Sequence, residues 1–152
     1  MKIVLASSFL LVSLFVASCG SSQVPPAQLS PSEKNLLSAL NDYRASQGKS
    51  ELKPLTDLTK LARGDAARRV TSGGDYVDLR HETGYERMLT LAGKAGGGET
   101  FGSRLMEIWQ KNPIQRTWLE GSHMGVGVGT ASGATGLQTG VVLLGGFSGE
   151  GI

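Results

Sequence analysis

Two residue types in this 152-residue chain stand out for the chemistry they can perform: one cysteine, Cys19, and two histidines, His81 and His123. A single cysteine closes no internal disulfide, and no Cys/His cluster exists to hold structural zinc. Serine nucleophiles fare no better. Ser103 and Ser122 are candidates only as serines, because neither sits in a nucleophile-elbow motif. The run Gly96-Gly97-Gly98 is not a phosphate loop, since no Gly-Lys-Ser/Thr follows it. A net charge of +2 is too small to imply a nucleic-acid partner. With 39% hydrophobic and 18% charged residues, the chain is neither disordered nor a polytopic membrane protein. Its length suits one domain with a single core.

Cys19 has the most specific surroundings. Met1-Lys2 gives a short positive start, and Ile3 to Ala17 is almost wholly apolar or small. That run of about 15 residues is too short to span a bilayer and suits a signal-peptide core. It ends in Val16-Ala17-Ser18-Cys19, which resembles the bacterial lipobox. The resemblance implies a cleaved signal peptide at 1–18, a lipidated Cys19 and an acylated (palmitate-type) new amino terminus. An ordinary secretory signal with an incidental cysteine is the alternative. Multiple acyl chains give stable anchoring where one does not. Gly20 rather than Asp after the cysteine implies outer-membrane sorting in a Gram-negative envelope. Residues 19–29 are small, polar and Pro-containing, and predict a lipidated flexible tether. The domain is expected over 30–152, and removal of 1–18 takes one lysine with it.

The elements that must position any site come next. Ser30-Pro31-Ser32-Glu33 predicts a helix start, with a cap, a proline at the first helical position and a capping box. Leu36, Leu37, Leu40 and Tyr43 follow at helical spacing, and Gly48 is a natural stop. A second helix starts at Thr56 or Asp57, lines up Leu58, Leu61, Ala62 and Ala66, and ends at Gly73-Gly74. Arg63, Arg68, Arg69 and Arg80 are expected on a solvated face, or against lipid near the anchor. Residues 75–82 have no period and read as a loop. Thr83 to Ala92 predicts a short third helix stopped by Gly93. Ser103 is expected to cap a fourth, with Trp109 in the core and a break at Pro113. A last turn carries Trp118 and Leu119. His123–Thr130 and Leu137–Phe147 then form a hairpin, the second run a central strand and His123 alternating outward. Helices first and an antiparallel sheet last predict an α+β fold. From Gly93 onward 16 of 60 residues are glycine, which in strands marks bulges or the close approach of another backbone.

The ordered fragments resemble the CAP superfamily: cysteine-rich secretory proteins, antigen 5 and pathogenesis-related plant proteins, in the short bacterial, disulfide-free, SCP-like form. Leu40-Asn41-Asp42-Tyr43-Arg44 with Gly48 matches the opening helix motif. Leu52, Leu55 and Leu58 to Ala66 match the next stretch. His81, Glu86-Arg87-Met88 and Ala92-Gly93 follow. Gly98-Glu99-Thr100 stands where the family has Gly-Glu-Asn. Trp109 to Arg116 stands for "W-x-x-S-P-x-H-R", and Gly125-Val126-Gly127-Val128 for "G-V-G-V". The resemblance covers Leu36 to Phe147 and implies a three-layer α-β-α sandwich.

The family's cleft carries two histidines and two acidic residues. Transferred residue by residue, His81 and Glu99 remain. The second histidine position is Gln115, and the second acidic position falls near Asn112, where there is no acid. The expected ligand cleft is therefore His81, Glu99 and Gln115. Two donors and an amide give at most weak zinc binding, so no cofactor and no catalytic residue is expected. Left to itself, His81 reads as a hydrogen-bonded loop histidine and Glu99 as a carboxylate capping nearby N–H groups. The expected function is a non-enzymatic, envelope-anchored, extracytoplasmic binding module for an apolar ligand (a lipid), a glycan or a protein. Its membrane partner is reached through Cys19, and no nucleic acid is involved. A hydrolase or weakly metal-dependent activity centred on His81 and Glu99 is the alternative, and a structural lipoprotein with a relic cleft is a third reading.

Overall fold

A computed structural model describes residues 22–25, 28–74 and 77–146. The expected signal peptide and Cys19 lie outside these residues. In chain order the elements are α1 (Pro31–Ser46), α2 (Thr56–Ser72), a 3-10 turn (Arg80–Glu82), β1 (Arg87–Gly96), α3 (Phe101–Gln110), α4 (Pro113–Glu120), β2 (Gly125–Ser132) and β3 (Leu137–Gly146). The sheet is antiparallel with order β1-β3-β2, so β3 is central. Its two faces carry separate clusters. Val142 and Leu144 pack with Leu36, Leu40, Leu91, Leu105 and Trp109, beneath α1 and α3. Val141 and Leu143 pack with Leu58, Ala62, Ala66 and Met88, beneath α2. The expected α-β-α sandwich is the observed one.

Helix α1 begins as its sequence dictates. Ser30 Oγ accepts from the Glu33 amide, and Glu33 accepts from the Ser30 amide at 2.8 Å, a complete capping box. Glu33 does more than cap. It is buried, and Arg63 of α2 grips both its oxygens at 2.7 Å. Asp65, also buried, is held by Arg68 and Arg69. The arginines expected on a solvated face are therefore struts: each neutralises a carboxylate that could not be buried alone. Arg80 likewise pairs with Asp78.

Helix α2 lies unusually close to β2. A Cβ on Gly127 would stand 2.2 Å from the Leu58 carbonyl carbon, and one on Gly129 would stand 2.2 Å from that of Ala62. The alternate glycines of Gly-Val-Gly-Val-Gly thus leave no side-chain layer between helix and strand, while Val126 and Val128 fill the opposite core.

Four expectations change. The segment expected as a helix over Thr83–Ala92 is strand β1, paired in register with β3 from Arg87↔Gly146 to Gly96↔Leu137. Its local helical pattern yields to this ladder and to Gly93, whose missing Cβ makes room for Leu105 and Trp109. The sheet therefore begins before α3 rather than after all the helices. Thr100, not Ser103, precedes the first residue of α3, and the Ser103 hydroxyl donates to the Thr100 carbonyl instead. The outer part of the expected tether is docked: Gln23 bridges Leu55, the Val24 amide donates to the Pro54 carbonyl at 2.8 Å, and Val24 and Leu29 are buried. Val24 and Leu29 are apolar enough to join the core beside α1 despite their polar neighbours.

These contacts predict opposite outcomes for two glycine substitutions. Gly127→Ala should lower stability by about 3 kcal/mol or more, because backbone rather than a flexible side chain blocks the new methyl. Gly64→Ala, in mid-α2 with open space around it, should raise stability by ~0.5–1 kcal/mol. Urea unfolding of the two variants against the parent checks both.

Candidate functional site

The three expected cleft residues come from two connections and a helix. His81 is exposed on the 3-10 turn between α2 and β1. The turn is stiffened by Asp78, which takes Arg80 in a two-pronged grip at 3.0 and 2.6 Å and also accepts the Arg80 amide. Hydrogen bonds from Arg80 hold the Asp78 carboxyl down at about 2, with the nearby His81 adding a smaller electrostatic effect. Glu99 is exposed on the turn joining β1 to α3, just after Gly98 in the left-handed region at φ +95°. Asn35 of α1 fixes that turn: its Nδ2 donates to the Glu99 carbonyl and its Oδ1 accepts from the Gly102 amide, both at 2.6 Å.

Gln115 lies half-buried in the first turn of α4. The Asn112 side chain is the N-cap of that helix, its oxygen accepting from the Ile114 and Gln115 amides at 3.0 and 3.3 Å. Where the family pattern calls for an acid near this position, the side chain is thus engaged in starting a helix. Among the described residues, no three His, Cys, Asp or Glu side chains gather around one point in a way that could hold a metal ion. One imidazole, one carboxylate and one neutral amide are a donor set that does not suit zinc.

A second concave feature escaped the sequence reading. A groove of about 510 Å³ lies between the loop after α1 and the α4–β2 loop, lined by Arg44, Lys49, Ser50, Glu51, Ser122 and His123 among others. Arg44 forms part of its wall and is 3% exposed. Its Nε donates to the Ser50 carbonyl at 2.9 Å, and its Nη1 to the carbonyls of Leu119 and Gly121 at 2.6 and 2.9 Å. Burial lowers the pKa of this guanidinium from its ordinary value, and among the described residues no carboxylate pairs with it. The signal was present in α1: Arg44 continues the four-residue spacing of Leu36 and Leu40, which places a charge on the buried stripe.

His123 does not alternate outward from a strand. It precedes β2, and its Nε2–H donates to the Trp118 carbonyl at 2.6 Å. A carbonyl only accepts, so the proton of the neutral ring is on Nε2. Nδ1 is buried without a partner among the described residues. Burial pushes the His123 pKa below 6.5, the Trp118 carbonyl opposes this, and the charges of Arg44 and Arg87 reinforce it. Nearby, the Tyr43 hydroxyl donates to Glu120 at 2.5 Å. Burial first, and then this carboxylate, raise Tyr43 to about 12.

Comparison with known proteins gives the family. Residues 37–144 match the model of the CAP, cysteine-rich secretory protein family, so the chain belongs to that family. Its fold is similar to that of an outer surface protein from Borrelia burgdorferi, at 19% identity and TM-score 0.59, over 85% of this chain and 100% of that one. It is also similar to a cysteine-rich secretory protein from Staphylococcus aureus, at 19% identity and TM-score 0.60, over 79% of this chain and 40% of that one. None of the curated proteins matches the sequence. CAP domains are typically extracellular or surface domains.

The burial of His123 fixes a pH dependence. A histidine kept neutral in the fold and free to protonate when unfolded contributes stability above its unfolded pKa and loses it as pH falls. Stability should therefore decline below pH 6.5, until the folded-state pKa is reached. His123→Gln should flatten that part of the profile. Glu33, whose carboxyl burial would raise but which Arg63 and Ser30 bring below 4.5, adds a separate loss at more acid pH in both proteins. Denaturant midpoints measured across this pH range check the assignment.

Proposed function

We propose that this chain is an envelope-anchored, extracytoplasmic CAP-domain lipoprotein that acts as a non-enzymatic binding module for an apolar ligand, a glycan or a protein partner. The observation that carries this reading is the chemistry around α4. Asn112 caps the helix and Gln115 follows on its first turn, and neither side chain can give or take a proton near neutral pH. A hydrolytic or metal-assisted step would rest on His81 and Glu99 alone. These two lie on exposed turns, one between α2 and β1 and the other between β1 and α3.

Anchoring rests on Val16-Ala17-Ser18-Cys19 at the end of an apolar run. The docking of residues 22–25 adds a geometric consequence. Cys19 precedes Ser22 by three residues, and three extended residues reach at most about 11 Å. A lipid on Cys19 would hold the domain at the membrane surface rather than on a long leash. The surface location named for the Borrelia neighbour is in keeping with this.

Two measurements on the full chain test the proposal. Labelled palmitate should be incorporated, and Cys19→Ser should abolish incorporation and move the protein out of the membrane fraction. If Cys19→Ser leaves both unchanged, the anchor is wrong. Zinc titration of the detergent-solubilised chain should show no tight site. Tight binding that disappears in His81→Ala would restore the metal-dependent alternative.

A further inference from the structure

The groove beside Arg44 lies apart from the three cleft positions in sequence and is lined by different residues. Its wall contains a buried cation that no carboxylate pairs with among the described residues. Arg44 makes three guanidinium hydrogen bonds, all to backbone carbonyls, and no acceptor among the described residues meets its Nη2. Arg44 is itself part of the groove lining.

The rim has a matching character. Lys49 contributes a second cation and is in no ion pair among the described residues. Glu51 brings one carboxylate, whose Oε2 lies 3.6 Å from Lys53 Nζ outside the groove lining. The hydroxyls of Ser50 and Ser122 have no protein partner among the described residues. Arg87 donates to the Ser122 carbonyl at 2.8 Å behind this wall and adds positive potential. Within the lining, two cations less one carboxylate leave a single positive charge, which complements a monoanion. A dianion would meet Glu51. The volume of about 510 Å³ exceeds what a lone carboxylate fills, and the lining is largely polar.

We propose that this groove is a binding site for a carboxylate carried by a larger polar molecule, with Arg44 Nη2 as its buried donor and Lys49 at its mouth. Two sources share that chemistry, the free C-terminus of a peptide and a sugar acid. The site gives the binding module a ligand class without calling on His81, Glu99 or Gln115, so the two readings stand or fall separately. His123, which is part of the groove lining, serves as a built-in reporter.

The test is a titration of the isotopically labelled full chain in a neutral detergent, at constant ionic strength. Acetate, acetylglycylglycine, glucuronate, inorganic phosphate and chloride are added in turn, and the side-chain nitrogen signals of Arg44 and His123 are followed by NMR. Carboxylates should give saturable shifts, with the two larger probes tighter than acetate. Tighter acetylglycylglycine identifies a peptide terminus, and tighter glucuronate a sugar acid. Lys49→Glu should weaken binding roughly fivefold, as expected for one rim charge. Ser122→Trp, at an exposed position, should block the groove without disturbing the carbonyl contacts of Arg44. These two variants keep the test decisive even if Arg44→Met does not fold. His81→Ala should leave the titration unchanged. Linear shifts that chloride reproduces, tightest binding by phosphate, or full affinity in Ser122→Trp would each overturn the proposal.

Discussion

The fold depends on a contact in which nothing stands between two backbones. Along β2, Gly127 and Gly129 face the Leu58 and Ala62 segments of α2, and a methyl group at either would lie 2.2 Å from main-chain carbon. A helix packed at ordinary distance would lift away from the sheet and open the cluster of Leu58, Ala62, Ala66, Val141 and Leu143 to water. Close approach also frees the opposite side. Val126 and Val128 spend their bulk entirely in the core beneath α1 and α3. The sandwich is thus asymmetric: one helix lies on glycine, and the other helices lie on a thick layer of Leu, Phe, Met and Trp.

Polar struts then register the helices against one another. Glu33 ties the start of α1 to α2 through Arg63, and Arg44 ties the end of α1 to the end of α4 through backbone carbonyls. The two are not equivalent. Glu33 and Arg63 neutralise each other, which offsets the cost of burying the carboxylate. Arg44 meets carbonyl dipoles at a helix C-terminus, where a cation is favoured but not neutralised. The same side chain that stiffens the fold therefore leaves a charge at the edge of a groove.

Much of this was legible in the sequence, and the failures have identifiable physics. The capping box at Ser30, the stop of α2 at Gly73, the core role of Trp109 and the central position of β3 all follow from local signals that agree with the tertiary structure. Strand β1 was illegible because Thr83–Ala92 carries a helix-compatible pattern, and only the pairing of Arg87–Gly96 with a strand some 50 residues later makes that stretch extended. Likewise, the arginines of α2 look like a solvated face until the buried Glu33 and Asp65 are seen beneath them. As for the site, family resemblance placed His81, Glu99 and Gln115, whereas the groove needed the fold. It joins residues 44–52 to 121–123, loops that no local motif connects.

That contrast separates the residues that hold the fold from the side chains exposed on its surface. His81 and Glu99 are exposed and Gln115 is half-buried, and none of the three belongs to either core cluster. Exchanging such side chains costs little stability, as for most surface positions. Gly127, Gly129, Leu58 and Arg44 are different, since each is held by backbone or by the closed core, and all four fall inside the region that matches the family. Membership therefore reports on the packing constraints far more than on the cleft. The function of this chain has to be read from the groups it presents rather than from the fold that presents them.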